Sequence, residues 1–426
     1  MKRSMIAVLS AAVLLLTCGT SGADPRVQIT PKDIGGPVTN EYGSIVLDGN
    51  NVVWKQNNSS IYSVHITSFD GTSDAVISGS SSWNFLPTTE GGEATWYGRD
   101  SSSNYQIWYY NGTSTVQVTS AASQQMTPVI DSGRIAYSAN SGYGGLYLWD
   151  TTTPAGSLPG ISLSTNVVLD KSWRADGGRI IWNDAPNYIT VGGSNPYTLT
   201  KGYGPTNMPT GCETNLMLYN GSTSTAVLSF DPTYNSSVGY WYTTNPETRF
   251  VGDNVAYKKA DGIHVYNITT LSDTTIPSTS SAALADLAYG KVAWKAGSGT
   301  SSEIWLYDIS GSTTTQITSN SLTDSQPVLG DGFMVWYEKG SDGKYRLVGE
   351  NLTTGAEFEF SSAIGLGTGT TAPSVWPSVD GLNVAWMASN NYVDYDLFVG
   401  TVPEPATLAL MALGGVGLLA RRRRGK

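Results

Sequence analysis

The chain has 426 residues, 40% of them hydrophobic and 14% charged, with 48 Gly, a composition that excludes both a disordered polymer and a collagen-like one. Thirteen Trp and 24 Tyr against 8 Phe favour pleated strands over helices, so an all-β fold is expected. Two His and two Cys leave almost no material for a zinc cluster or a disulfide framework, and an excess of acidic over basic residues disfavours nucleic acid as a partner.

In chain order, residues 1–23 come first and are expected to be a secretory signal. Lys2 and Arg3 precede an apolar run over 5–16 that is too short to span a bilayer, and Ser21 and Ala23 place small residues where a signal peptidase cuts. Cleavage after Ala23 removes Cys18 and leaves Cys212 as a lone thiol, expected to be buried and inert.

Over residues 24–400 one unit recurs: a turn, then an apolar strand ending in Trp or Tyr. Its aromatic anchors are Trp54, Trp96, Tyr137, Trp182, Tyr257, Trp294, Trp336 and Trp386, mostly about 40 to 50 residues apart, a period that suits four short strands per unit. Each anchor is followed by a second aromatic strand, and most units end in a Thr-rich fourth strand, such as Val116-Gln117-Val118-Thr119. The eighth unit lacks a fourth strand of its own. Val27-Gln28-Ile29-Thr30 carries the same pattern with no unit to join, so it is expected to complete the last blade of an eight-bladed β-propeller, with seven blades as the alternative. The Asp-Gly turn before an Ile-Ala-Trp-like strand, followed by a strand such as Glu303 to Asp308, resembles TolB-type propeller repeats. That resemblance implies the fold and leaves activity open.

Asp48, Asp131, Asp176, Asp331 and Asp380 are expected to cap their own Asp-Gly turns, because no segment supplies the dense oxygen ligands of a calcium loop. His65 and His264 fall inside second aromatic strands, where a half-buried structural role is expected. No nucleophile elbow, phosphate loop or His-Glu-x-x-His sequence occurs, so no catalytic residue, metal site or cofactor is assigned. The two longest departures from the repeat are 183–213, inside unit four, and 231–248, between units four and five. Strand alternation places both on the face opposite the Asp-Gly turns. Their Tyr188, Tyr197, Tyr203, Tyr234, Tyr240, Trp241 and Tyr242 form a candidate ligand-binding set, since sugar rings stack on aromatic planes while Asn and Thr bond the hydroxyls.

The tail, 401–426, runs Pro403-Glu404-Pro405, an apolar helix over 406–420, and Arg421, Arg422, Arg423 and Arg424. The order resembles the PEP-CTERM sorting signal. The resemblance implies an exosortase-type transpeptidase as partner, transient membrane anchoring through the C-terminal helix, and bacteria that make exopolysaccharide. The basic run stays cytoplasmic by the positive-inside bias, which puts the propeller outside. Without both ends the chain holds 17 basic against 34 acidic residues, or 33 if Glu404 leaves with the tail, a balance that repels anionic lipid heads as well as nucleic acid. The expected function is a secreted, surface or matrix propeller that binds polysaccharide or envelope protein. The alternative is a carbohydrate-active enzyme, a lyase or a glycosidase, on the same scaffold.

Overall fold

In a computed structural model eight four-stranded antiparallel blades follow one another along the chain, six as separate sheets and two, the third and fourth, joined into one eight-stranded sheet where Val167 pairs with Asp184. The structure describes residues 27–28 and 45–402, apart from short stretches at 59–60, 79–82, 140–143, 155–159, 168–172, 185–197, 202–213, 232, 236–239, 243–245, 361–374 and 389–395. Blades 1 to 7 occupy 45–76, 84–117, 125–167, 174–230, 248–275, 283–316 and 323–359, and blade 8 takes its first three strands from 378–401. Its outer strand is Val27–Gln28, paired antiparallel with Val399 and Phe398. The first strands of consecutive blades touch all the way round, blade 8 against blade 1 included. The fold is therefore an eight-bladed β-propeller whose ring is closed by the N-terminal strand.

Each blade forms for local reasons. The aromatic anchor lies inside its strand, preceded by Val, Ile and Ala, types that pack on a pleat, and the preceding turn needs left-handed backbone at residues such as Gly49 and Gly381, with φ of +55° and +56°. All eight anchors are buried to 2% exposure or less and pack between neighbouring blades. Removing one of these Trp side chains is expected to cost about 3–5 kcal/mol. In blades 2, 3 and 7 the first strand is bulged at Leu86-Pro87, Thr127-Pro128 and Gln326-Pro327, where the residue before proline takes positive φ. Proline is tolerated there because a bulge leaves one ladder N–H unneeded.

Polar side chains then stitch blade to blade. Near the axis, Ser378 Oγ accepts from Leu47 N at 2.9 Å, Thr88 Oγ1 from Ile130 N at 3.3 Å, and Asp286 Oδ2 from Leu329 N at 2.8 Å. At the Asp-Gly turns the expectation of self-capping is corrected. Asp380 Oδ2 accepts from Gly49 N at 2.6 Å, Asp48 from Gly92 N at 3.3 Å, Asp176 from Gly252 N at 2.8 Å, and Asp131 from the backbone of Gly177 and Gly178. Each carboxylate reaches the turn of the following blade, because in a ring the adjacent turn presents its free N–H groups closer than the residue's own turn does.

Candidate functional site

The two long insertions meet. Thr198–Lys201 from the first pairs with Tyr240–Tyr242 from the second, and Thr233–Asn235 pairs with the other edge of Tyr240–Tyr242, giving a three-stranded antiparallel sheet apart from the blades. The insertions are thus more than loops. In register, Thr198 and Thr233 flank Tyr242, Trp241 lies opposite Tyr234, and Tyr240 sits between Lys201 and Asn235. Of the seven candidate aromatics, Tyr234, Tyr240, Trp241 and Tyr242 are brought into this one sheet, whereas Tyr188, Tyr197 and Tyr203 lie outside the described residues, as does Cys212.

The roots of the insertions are held by the blades. Asn183 Nδ2 donates to Pro246 O at 3.5 Å, joining the start of the first insertion to the end of the second, and Ser164 Oγ donates to Asp184 Oδ1 at 2.9 Å, tying blade 3 to blade 4. Beside them Arg174 and Arg249 occupy matching places on the first strands of blades 4 and 5. Burial pushes the Arg174 guanidinium down to about 10, and the charge of Arg249 adds to the shift while Glu247 opposes it. Arg249 is committed to structure: its Nε donates to Ala285 O at 2.8 Å, its Nη1 to Thr248 O at 2.9 Å and its Nη2 to Glu247 Oε1 at 2.9 Å.

Both histidines are buried and polar-partnered, and the half-buried expectation is corrected to that extent. His65 stacks on Trp54 with centroids 4.3 Å apart, meets the Asp74 carboxylate through Nδ1 at 3.2 Å, and has Ser63 Oγ 3.1 Å from Nε2. Burial pushes the Asp74 carboxyl up, but hydrogen bonds from His65 and Thr67 outweigh it and leave Asp74 below the usual range. His264 repeats the arrangement in blade 5: it stacks on Tyr257 at 5.0 Å and meets Asp273 through Nδ1 at 3.3 Å. There Asp261 Oδ1, at 3.0 Å from Nε2, stands where blade 1 has a serine hydroxyl. In both blades the histidine ties its strand to the outer strand, through Asp74 in blade 1 and Asp273 in blade 5.

One site escaped the sequence reading. A cavity of ≈ 580 Å³ opens between blades 6 and 7, lined among others by Thr318, Asn320, Trp336, Glu338, Glu357 and Glu359. Behind its wall Asp324 is fully buried, and neither carboxylate oxygen has a hydrogen-bond partner. Burial pushes its carboxyl up to about 7; Thr318 and Trp336 approach and restrain the shift without closing a bond, and Glu338 and Glu303 add to it. The acids were legible only in register, since Glu338, Glu350, Glu357 and Glu359 come together once the strands are paired.

Beyond Leu397 the last strand runs to Thr401, and the sequence over 401–424 matches a known sorting pattern. It is the PEP-CTERM protein-sorting motif. The PEP-CTERM match contains Pro403, Glu404, Pro405 and Arg421, Arg422, Arg423 and Arg424, all outside the described residues, as are residues 1–23. It implies a secreted protein, processed by an exosortase during sorting and delivered to the cell envelope or extracellular space of a bacterium. Among the described residues no helix is long and apolar enough to cross a membrane, and no group of His, Cys, Asp or Glu converges closely enough to hold a metal ion. No curated protein matches this chain. Among solved structures it is similar to the computationally designed Ika8 protein, at 12% identity and TM-score 0.49 over 87% of this chain and 100% of that one. It is also similar to the beta-propeller domain of the Trilobed protease from Pyrococcus furiosus, at 9% identity and TM-score 0.49 over 77% and 98%, and to puromycin hydrolase, at 11% and 0.48 over 87% and 60%. Nothing about activity carries over at such identities.

Proposed function

We propose that the protein is a binding and structural propeller of the bacterial envelope or extracellular matrix, that polysaccharide is its ligand, and that it performs no catalysis of its own. The sorting motif supports the place of action. The observation that carries the binding role is the insertion sheet: segments more than 30 residues apart in sequence pair with one another, and the pairing gathers Tyr234, Tyr240, Trp241 and Tyr242 within three short strands. Aromatic planes stack on sugar rings while Thr and Asn bond the hydroxyls, and this sheet brings both residue types into register, with Thr198, Thr233 and Asn235 beside the aromatics.

The test is retention of matrix polysaccharide from the native organism on immobilised protein. Wild type is expected to retain it without producing new reducing ends or unsaturated products, and the Trp241→Ala, Tyr242→Ala double variant to lose at least about tenfold in affinity. Unchanged retention by the variant, with a lowered melting temperature, assigns these aromatics to packing instead. Turnover of the polysaccharide by the wild type supports a carbohydrate-active enzyme.

A further inference from the structure

The cavity between blades 6 and 7 has a charge pattern that ordinary packing does not account for. Residues directly opposite one another in neighbouring antiparallel strands share a face, so the pairs Glu338 with Arg346, Val348 with Glu359, and Glu350 with Glu357 place four glutamates on the face of blade 7 that carries Trp336. One cation stands among them. Arg346 is already engaged, its Nη2 2.9 Å from Asp342 Oδ2 and its Nε 3.8 Å from Glu359 Oε1. From blade 6, Thr318 contributes a hydroxyl that is spent on Glu303 Oε2 at 2.7 Å, and Asn320 Nδ2 reaches Glu338 Oε2 only at 3.4 Å. The cleft therefore gathers negative charge without supplying the positive charge that would balance it.

Asp324 is the second, independent observation. Its carboxyl is fully buried with both oxygens unpartnered, and it sits against Thr318, Trp336 and Glu338, three residues of the cavity wall. Leaving such a group unpaired is costly in a finished fold, and a cation in the cleft offsets that cost through space. A bare metal ion does not suit the geometry, because these carboxylates do not converge within coordinating distance of a common point. A cation carried on a larger body does. The cavity volume of ≈ 580 Å³ matches a ligand of one or two sugar rings, and the indole of Trp336 gives the cleft an apolar base.

We propose that this cleft binds the ammonium group of a de-N-acetylated hexosamine unit, with Glu338, Glu357 and Glu359 as its ion-pairing partners. This rests on the polysaccharide reading above and narrows it to chains that carry free amines. The charged groups facing the ligand are Glu338, Glu350, Glu357, Glu359 and Arg346 from blade 7, with Glu303 and the buried Asp324 behind. Burial, with repulsion from Glu357, holds the Glu338 and Glu350 carboxyls above the usual carboxylate range, so an ammonium group bound beside them displaces their protons. Salt weakens the binding.

Calorimetric titration of the purified protein tests this with three probes: a β-1,4-linked glucosamine oligomer, its N-acetylated counterpart, and calcium chloride. The amine oligomer is expected to bind with proton release, the acetylated one and calcium not to bind, and Glu338→Gln to weaken the amine oligomer about tenfold. Glu357→Gln, at an exposed position, serves as the second variant should the first fail to fold. Equal binding of the two oligomers, binding indifferent to both Gln variants, or glutamate-dependent capture of calcium alone overturns the proposal. Retention of matrix polysaccharide, measured separately, distinguishes these outcomes: retention without amine preference removes this cleft and leaves the broader binding role standing.

Discussion

At position 324 blade 7 holds a carboxyl where blade 2 holds Asn84. Each lies opposite the residue two beyond its blade's anchor, Asp324 across from Glu338 and Asn84 across from Gly98. In blade 2 the amide is satisfied on both sides, accepting from Trp96 Nε1 at 3.1 Å and donating to Tyr62 O at 2.7 Å. In blade 7 the corresponding indole Nε1 of Trp336 and both oxygens of Asp324 lack partners. The folded carboxyl holds its proton up to about 7, against 3.8 for the ordinary group, so the fold binds more protons than the unfolded chain across that window and loses stability as pH rises through it. Asp324→Asn does not titrate. Its stability advantage over wild type is expected to grow by ~2–4 kcal/mol between pH 4 and pH 8, measured by denaturant titration at each pH, and a pH-independent difference would count against a buried titrating carboxyl. The turn carboxylates provide a second comparison. Asp131→Ala removes two bonds to the next blade and is expected to lower stability by about 1 kcal/mol, while Asp331→Ala, at a carboxylate with no hydrogen bond among the described residues, is expected to change it by less than about 0.5 kcal/mol.

Among the elements, the shortest has the largest structural consequence. Val27–Gln28 contributes only two residues to blade 8, yet it pairs the start of the propeller with the strand Asp396–Thr401 near its end. Without it that strand is an open edge, and the last blade meets the first through side chains alone. Deleting residues 24–30 is expected to destabilise the ring by about 2 kcal/mol, seen as a melting temperature lower by a few degrees, and to promote association through the exposed edge. An unchanged melting temperature would mean that contacts between the first strands of blades 8 and 1 close the ring unaided. The insertion sheet shows the converse relation between element and fold. Its strands of three and four residues are too short to stand alone, and the Asn183 to Pro246 hydrogen bond draws their two roots together.

For the whole molecule, one end is read by the sorting machinery and the ring is the part that remains. The apolar stretch over 406–420 is short for a permanent span, and the basic run that follows it orients the precursor. Mass spectrometry of protein taken from the cell surface is expected to find no peptides from 408–424 joined to the propeller. Replacing Arg421, Arg422, Arg423 and Arg424 with neutral residues is expected to misorient or release the precursor, read as loss of the surface-attached form. The processed molecule is strongly acidic, which keeps it from anionic surfaces and accords with neutral or amine-bearing polysaccharide as the partner.

The all-β class, the eight repeats and the closing strand were legible in the residues because each rests on a short-range signal: an aromatic every 40 to 50 residues, a turn before it, and one spare Thr-ended strand at the start. The sorting tail was legible for a similar reason, since its three parts are contiguous. What the tertiary structure decided involves groups far apart in the chain. Asp48 caps a turn 44 residues away and Asp380 one 331 residues away, and no local pattern says that a carboxylate will pass over its own turn for its neighbour's. The sheet joining Lys201 to Tyr240 pairs an insertion inside blade 4 with one between blades 4 and 5, a partnership that neither segment announces by itself. The acidic cleft exists because strand register sets Glu338, Glu350, Glu357 and Glu359 on one face against blade 6. A repeat announces itself by periodicity, whereas a site built between repeats depends on which faces the ring turns toward one another.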